Sequence, residues 1–248
     1  MSSKTAKAKN RRKLISGISV SFVFLCAYLA FFCGFVSFEA QNSRFIKGTY
    51  VKFGRCLQNN AKDMEPIIWK VAEKGDGEAL LISVGAVLAI PYDEGIEKDV
   101  VHAVWADSSV RAKLNGSFLD TSFTDEERAI IVKSHVSNRP GRTYRMPSGP
   151  DTDDYIFVLS TEEARQYLPY FWNRILWSVP DYIGKSGIHA EQFTICFIPF
   201  QGYRSWLRTA GVTEYATSVI EADGSINEKG INPVFIQAVR PALRVRVE

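Results

Sequence analysis

The sequence predicts an α+β domain built on a single mixed antiparallel sheet and preceded by one N-terminal transmembrane helix. Alternating apolar and β-branched runs, separated by glycine-containing turns, indicate the strands, and two helix-start signals lie between them. No Pro/Gly/Ser-rich linker or repeat occurs after residue 47. Residues 48–248 are therefore expected to form one domain.

An apolar run predicts the membrane helix. Residues 14–38 carry no charge, and a run of this length can cross the roughly 30 Å hydrocarbon core. The charges in residues 1–13 are all positive, so this basic tail is expected to stay in the cytoplasm. Residues 39–47 then connect the anchor to an extracytoplasmic domain at the cell membrane. A cleaved signal peptide is the alternative, but its apolar core is usually shorter and a small residue, not Phe38, should stand at its −3 position.

The exported part is mildly acidic. The chain has 30 Lys and Arg against 27 Asp and Glu, a formal net charge of +3. Without the six cations of the tail, 24 basic residues remain and the net charge is −3. Nucleic acid is therefore not an expected partner, because it requires a basic surface. The lipid bilayer is the expected partner of residues 14–38.

The cysteines divide by location. Cys26 and Cys33 lie in the apolar run, so Cys56 and Cys196 are the exported thiols. An oxidising exterior would permit a disulfide between them, but a domain of this size can bury enough core without one. Their spacing does not decide between the two states.

Strands are predicted where apolar residues alternate or β-branched and aromatic residues cluster. These segments are residues 50–55, 67–72, 79–84, 155–159, 193–198, 205–208, 218–221, 226–231 and 239–247. Asp-Gly pairs at residues 76–77 and 223–224 indicate tight hairpin turns.

Two helices have strong start signals. Thr124 with Glu127, and Ser160 with Glu163, have the spacing of a capping box, in which the hydroxyl accepts from a backbone amide and the carboxylate reaches back. The first of these helices is expected to run through Ile131. An earlier helix is predicted from apolar residues four apart at 110, 114 and 118, and is weakened near its end by a glycine at 116.

Several motifs follow one another along the domain. Trp105, Ser108, Arg111 and Leu114-Asn115-Gly116 form the first, and Trp206-Leu207-Arg208 and Val239-Arg240-Pro241-Ala242-Leu243 follow it. In this order the chain resembles an uncharacterised bacterial domain family of no established activity over residues 50–248. The resemblance implies a strand-rich C-terminal half similar to C-type lectin-like or formylglycine-generating-enzyme folds. Residues 138–151 and 167–177 fit the pattern poorly and are expected to be variable loops.

An aromatic segment carries the main binding hypothesis. Tyr167, Tyr170, Phe171, Trp172 and Trp177 could form a stacking platform for sugar rings or for a partner's side chains. The competing interpretation is that some of these rings fill the core, because residues 168, 171 and 175 share one side at helical spacing.

Three further residues complete the candidate set. Trp206 and Arg208 alternate with Leu207 on a predicted strand and face one side, and Tyr203 precedes them. The predicted binding residues are thus Trp172, Trp177, Tyr203, Trp206 and Arg208. For Arg208 or Arg240, burial against a carboxylate such as Asp107 is the alternative.

No cofactor, metal or catalytic residue is expected. His102, His135 and His189 have no second ligand at metal-binding spacing, and no nucleophile elbow or phosphate loop occurs. Asp151, Asp153 and Asp154 could offer oxygens to calcium, but a turn into the following strand is the favoured interpretation.

These observations favour a membrane-anchored binding domain that recognises a surface glycan or protein and performs no chemistry. Specificity is expected in residues 138–151 and 167–187. One alternative is an oxidase resembling formylglycine-generating enzymes, with Cys56 and Cys196 holding copper. Another is a structural accessory subunit of an envelope complex.

Overall fold

Two sheets share one core in the computed structural model, which describes residues 45–95, 103–184, 187–195 and 197–247. Contacts group Phe45–Glu248 into one compact unit. The predicted anchor, residues 14–38, lies outside the described residues, as do the basic tail and most of the connector. Within the described ranges, no helix is long and apolar enough to span a membrane.

The first sheet contains the early strands and the last one. Its path is β1–β2–β3–β15–β5, with β8 also paired to β15, and these pairs are antiparallel. The strands are β1 (Tyr50–Leu57), β2 (Met64–Gly75), β3 (Glu78–Ser83), β5 (Ile131–Val132), β8 (Ile156–Val158) and β15 (Pro241–Arg246).

The second sheet has the order β13–β12–β11–β14–β4 and is mixed, because β11 and β14 run parallel. Its strands are β4 (Leu88–Pro91), β11 (Ser205–Ala210), β12 (Thr217–Ile220), β13 (Ile226–Ile231) and β14 (Ile236–Val239). Two separate two-stranded pairs complete the described strands. They are β6 (Ser134–Val136) with β7 (Thr152–Asp154) and β9 (Glu191–Ile195) with β10 (Ile198–Gly202).

Short helices connect the strands. They are α1 (Ser109–Lys113), α2 (Leu119–Ser122), α3 (Asp125–Ile130), α4 (Thr161–Tyr167), α5 (Phe171–Arg174) and α6 (Asp181–Gly184), with a 3₁₀ turn at Trp105–Asp107 and a π turn at Leu114–Phe118. Both predicted capping boxes are present, at Thr124 for α3 and at Ser160 for α4.

Three tryptophans fill the core, and each indole N–H has an acceptor. Trp69 donates to the Phe53 carbonyl (2.6 Å), Trp105 to Asp154 Oδ2 (2.8 Å) and Trp206 to the Ile90 carbonyl (3.0 Å). A buried indole left unpaired would cost about 1–3 kcal/mol. These bonds therefore fix which way each ring enters the core.

The structure corrects several sequence predictions. Two larger sheets replace the single predicted sheet, because the predicted strand 239–247 breaks at Arg240, between β14 and β15. The predicted strand 193–198 is instead a hairpin of β9 and β10, whose turn includes Phe197 at φ 67°. Ile131 begins β5 and does not extend α3. Gly116 interrupts the helix after Lys113, with φ −110° and ψ −115°.

Candidate binding surface

Exposed aromatic side chains follow helix α4. Tyr170, Phe171 and Trp172, here called the aromatic platform, expose 56%, 37% and 50% of their surface. The rings of Tyr170 and Trp172 are stacked 4.8 Å apart and inclined by 4°, and Phe171 meets Trp172 edge-on at 5.0 Å. The cluster keeps apolar ring surface exposed to solvent, as expected of a recognition surface.

Two arginines hold the backbone beneath the platform. Arg174 donates to the carbonyls of Leu168 (2.7 Å), Pro169 (3.0 Å) and Gly224 (2.6 Å). Arg240 donates to the carbonyls of residues 173 and 174, at 3.1 and 3.3 Å, and so satisfies the C-terminal end of α5. A four-residue helix has little stability of its own, so these bonds and the packing below it keep the platform in place.

The platform's sequence neighbours belong to the core. Leu168, Ile175 and Leu176 are each at most 3% exposed. The predicted apolar side at 168, 171 and 175 is therefore buried at two positions, while Phe171 belongs to the exposed platform. The aromatic segment therefore supplies both an exposed platform and residues that fill the core.

Trp177 belongs to a second aromatic group, which it forms with two phenylalanines of the hairpin of β9 and β10. Its ring lies 6.1 Å from Phe193 and 5.7 Å from Phe200, which pair across the hairpin. Trp177 remains 40% exposed. The predicted Tyr203 lies next to the segment that carries Trp177, because its backbone amide donates to the Leu176 carbonyl at 3.1 Å. Tyr203 is half-buried.

The remaining predicted residues lie in the core. Trp206 and Arg208 are 1% and 2% exposed, so we correct them from surface binding candidates to core residues. Arg208 pairs with Glu163, and not with the predicted Asp107. It also donates to the Val158 carbonyl (2.8 Å), which ties strand β11 to β8. Among ligand-binding candidates, Trp172 and Trp177 remain on the surface.

A groove of about 370 Å³ runs beside the platform and was not anticipated from the sequence. One wall is strand β2 and the other is the end of α4 with the platform's Tyr170. Charged, amide and tyrosine side chains line it together with apolar surface. The residues that line it are Lys47, Gly48, Lys70, Val71, Ala72, Glu73, Gln166, Tyr167, Pro169, Tyr170 and Asn173. Lysines scattered over residues 47–70 carry no sequence signal that would have joined them to residues 166–173.

An apolar cleft of about 440 Å³ contains Cys56 in its wall, together with Phe118 and Ile183. Burial, followed by the charge of Glu65, raises the pKa of the Cys56 thiol to about 12. A thiol in this state is a weak nucleophile and a poor metal ligand at neutral pH. Cys56 is a free thiol in the structure, and Cys196 lies outside the described residues.

The predicted loop 138–151 is packed against the domain. Its ends are joined by bonds from Asn138 to Asp151 Oδ1 (2.7 Å) and to the Pro150 carbonyl (2.6 Å). A side chain at Gly149 would meet Val104 Cγ1 at 2.2 Å. Of the three acidic residues considered for calcium, Asp154 is buried and already accepts from Trp105. The described residues contain no group of three metal-binding side chains.

Comparison with known families identifies the family of this chain. The family model of a domain of unknown function, DUF6273, matches residues 77–247, more than half of the chain. The chain belongs to the DUF6273 family. No curated protein and no solved structure matches it.

The DUF6273 match covers the aromatic platform but only one wall of the groove. It includes the aromatic platform, the hairpin of β9 and β10, and both core residues Trp206 and Arg208. It begins after Lys47 and Lys70, so one wall of the groove comes from the part of the chain that precedes the match. The groove thus combines a family segment with strand β2.

Proposed function

We propose that this DUF6273 protein is a membrane-anchored, extracytoplasmic binding domain that recognises a glycan or protein through the aromatic platform. The single observation behind this proposal is that Tyr170 and Trp172 are about half exposed and yet stacked in a fixed orientation. Residues 14–38 would hold the domain at the outer face of the membrane.

The platform has the physical properties of an interaction hot spot. Exposed Trp and Tyr supply large apolar areas and have few rotatable bonds, so their immobilisation on binding costs little entropy. The Arg174 and Arg240 bonds fix the supporting backbone before any ligand arrives. Preorganisation of this kind increases affinity by reducing the ordering cost.

The copper-oxidase alternative is less well supported. It would require a thiolate at Cys56, whereas burial favours the protonated thiol there. The C-type lectin-like fold suggested by the family resemblance stays a prediction, and the proposal depends on the platform alone.

Binding is tested with the full-length protein in lipid nanodiscs, on a glycan array and against isolated envelope proteins. We expect W172A, which truncates the platform, to weaken the interaction about tenfold or more, as hot-spot truncations do. W177A, in the second aromatic group, should have a smaller effect. Tyr215→Ala is the matched control, because this tyrosine is 51% exposed but lies between β11 and β12. Unchanged binding by W172A would overturn the proposal and favour an accessory role carried by another surface.

Tryptophan fluorescence gives an independent readout of the same surface. Trp69, Trp105 and Trp206 are buried, so acrylamide should quench mainly Trp172 and Trp177. A ligand seated on the platform should protect Trp172 from quenching, and W172F should abolish that protection. Protection that persists in W172F would place the ligand elsewhere.

Topology is tested by adding protease to intact and to permeabilised cells. Cleavage of the domain in intact cells is the expected result. Protection until the membrane is permeabilised would contradict the proposed orientation.

A further inference from the structure

The groove beside the platform has an excess of positive charge. Lys47 and Lys70 line it, and no carboxylate lies within salt-bridge distance of either ammonium among the residues that the structure describes. Glu73 is the one acidic residue in the lining. It already accepts from Arg244 Nη2 and from the Tyr167 hydroxyl, both at 3.3 Å.

A buried cation lies behind the groove. Arg240 is 8% exposed, and its hydrogen bonds to Ser83 (2.7 Å), Asn173 and Arg174 all end on neutral backbone carbonyls. Burial lowers the pKa of Arg240 to about 10. Burial, and then the nearby charge of Arg240, lower the pKa of Lys70. An anion in the groove would offset this uncompensated charge, since buried cations are normally paired.

The other wall offers the contacts that a sugar ring requires. Tyr170 lines the groove and continues into the stack with Trp172, so its ring can support the apolar face of a saccharide. The side-chain amides of Gln166 and Asn173 make no hydrogen bond within the described ranges and can donate to or accept from hydroxyl groups. The volume lies within the roughly 300–1,000 Å³ of small-ligand sites.

We propose that this groove binds an acidic sugar, meaning a saccharide ring that carries a carboxylate or a phosphate. The ring lies against Tyr170, and the acidic group pairs with Lys70 and Lys47. The inference rests on the proposed recognition function and names its ligand class. It also assigns a role to strand β2, which lies outside the family match.

Matched probe pairs test the charge requirement, with the full-length protein in phosphatidylcholine nanodiscs so that no anionic lipid competes. The pairs are tri-galacturonate with its methyl ester, and glucose 6-phosphate with glucose. We expect the charged member of at least one pair to bind about tenfold more tightly, as one charge-assisted hydrogen bond permits. Inorganic phosphate, which lacks a ring, should bind more weakly than glucose 6-phosphate.

Variants assign the contacts. Lys70→Gln should lower the affinity for the charged sugar about tenfold and leave the neutral one unchanged. Lys47→Gln, at an exposed position, provides the same test without a risk to folding. Lys74→Gln is the control, because Lys74 is an exposed lysine of the same strand that does not line the groove. Tyr170→Ala should weaken both members of each pair.

Each contrary result overturns the inference. Equal affinity for charged and neutral sugars would show that the groove does not require an anion. If inorganic phosphate binds as tightly as glucose 6-phosphate, the sugar ring does not contribute to binding. If Lys70→Gln and Lys47→Gln both bind the charged sugar with full affinity, these lysines do not contact its acidic group. If acidic sugars fail to bind while W172A still abolishes binding of another glycan or protein, this inference is wrong and the proposed function stands. If acidic sugars fail to bind and W172A has no effect on any ligand, both this inference and the proposed function are wrong.

Discussion

Arg208 Nη2 donates to Glu163 Oε1 at 2.7 Å, and this pair of a buried arginine and a partly buried carboxylate joins strand β11 to the first turn of helix α4. The second oxygen of Glu163 accepts from Arg208 Nη1 and from the backbone amide of Ser160. One carboxylate therefore completes the helix cap and neutralises a core arginine.

The Arg208–Glu163 pair predicts a pH-dependent stability. Burial by itself would raise the pKa of Glu163, but the hydrogen bonds and charge of Arg208 outweigh it and lower the pKa. The contribution is therefore fully present above the unfolded pKa of about 4.3 and is lost as the pH falls through the lower folded value. Glu163→Gln should lower the free energy of unfolding at pH 7 by about 3–5 kcal/mol.

Urea titrations at pH 7 and pH 3 measure this effect, and the gap between variant and parent should narrow at pH 3. Glu162→Gln is the control, because its exposed carboxylate pairs with exposed Arg142. A gap that is the same at both pH values would contradict the ion-pair explanation.

Asp154 should be structurally essential, whereas its neighbour Asp153 should not. Asp154 is 1% exposed and accepts from Trp105 (2.8 Å), Arg111 (2.7 Å) and Thr152 (2.7 Å). Asp154→Asn should destabilise the fold by about 2–4 kcal/mol, because it leaves donors unmatched. Asp153→Asn, at an exposed site, should change stability by less than about 0.5 kcal/mol. Thermal unfolding of both variants measures the contrast, and similar melting temperatures would contradict it.

Gly224 controls the contact between the β12–β13 turn and the platform. It has φ +82°, and an added Cβ would lie 2.2 Å from the Phe171 carbonyl oxygen. Gly224→Ala should cost about 1–3 kcal/mol and shift the Trp172 fluorescence, because the turn must move away from α5. Gly77→Ala shares the positive φ (+75°), but its nearest atom is 3.9 Å away. Equal effects of the two substitutions would show that the clash with Phe171 contributes nothing.

Cys56 should resist alkylation in the folded protein. It is buried, and the raised pKa keeps the thiolate fraction small at neutral pH. Iodoacetamide at pH 8 should therefore leave the Cys56 peptide unmodified until denaturant is added, as read by mass spectrometry. Rapid native labelling would contradict the placement. Labelling in denaturant that requires a reductant would contradict the free thiol and indicate a disulfide at Cys56.

Local elements were predictable because their causes lie within a few residues. The capping boxes at Thr124 and Ser160 use hydrogen bonds that span three positions, and the turn at Asp223-Gly224 needs one positive φ. The hairpin of β9 and β10 was missed because residues 193–198 are all apolar or β-branched, and such a run does not show the turn inside it.

The aromatic segment was predictable only in part. Its composition indicated a binding surface or a core filler, and spacing alone could not separate the two. Exposure separates them: Trp172 faces solvent, whereas Leu168 and Ile175 are buried. Trp206 and Arg208 were assigned to the surface because alternation shows which residues share a face, but not whether that face is covered.

The sequence by itself determined the charge balance, the apolar run that predicts an anchor, the helix starts and most strands, since each follows from neighbouring residues. Tertiary structure decided which charges are matched and which are left over. Glu163 neutralises Arg208 across 45 positions. Lys70 and Arg240 are far apart in sequence, yet the charge of Arg240 helps to lower the pKa of Lys70, and neither forms a salt bridge with a carboxylate of the described residues. Such pairings depend on distance and burial in the folded chain, and neither quantity is encoded in local order.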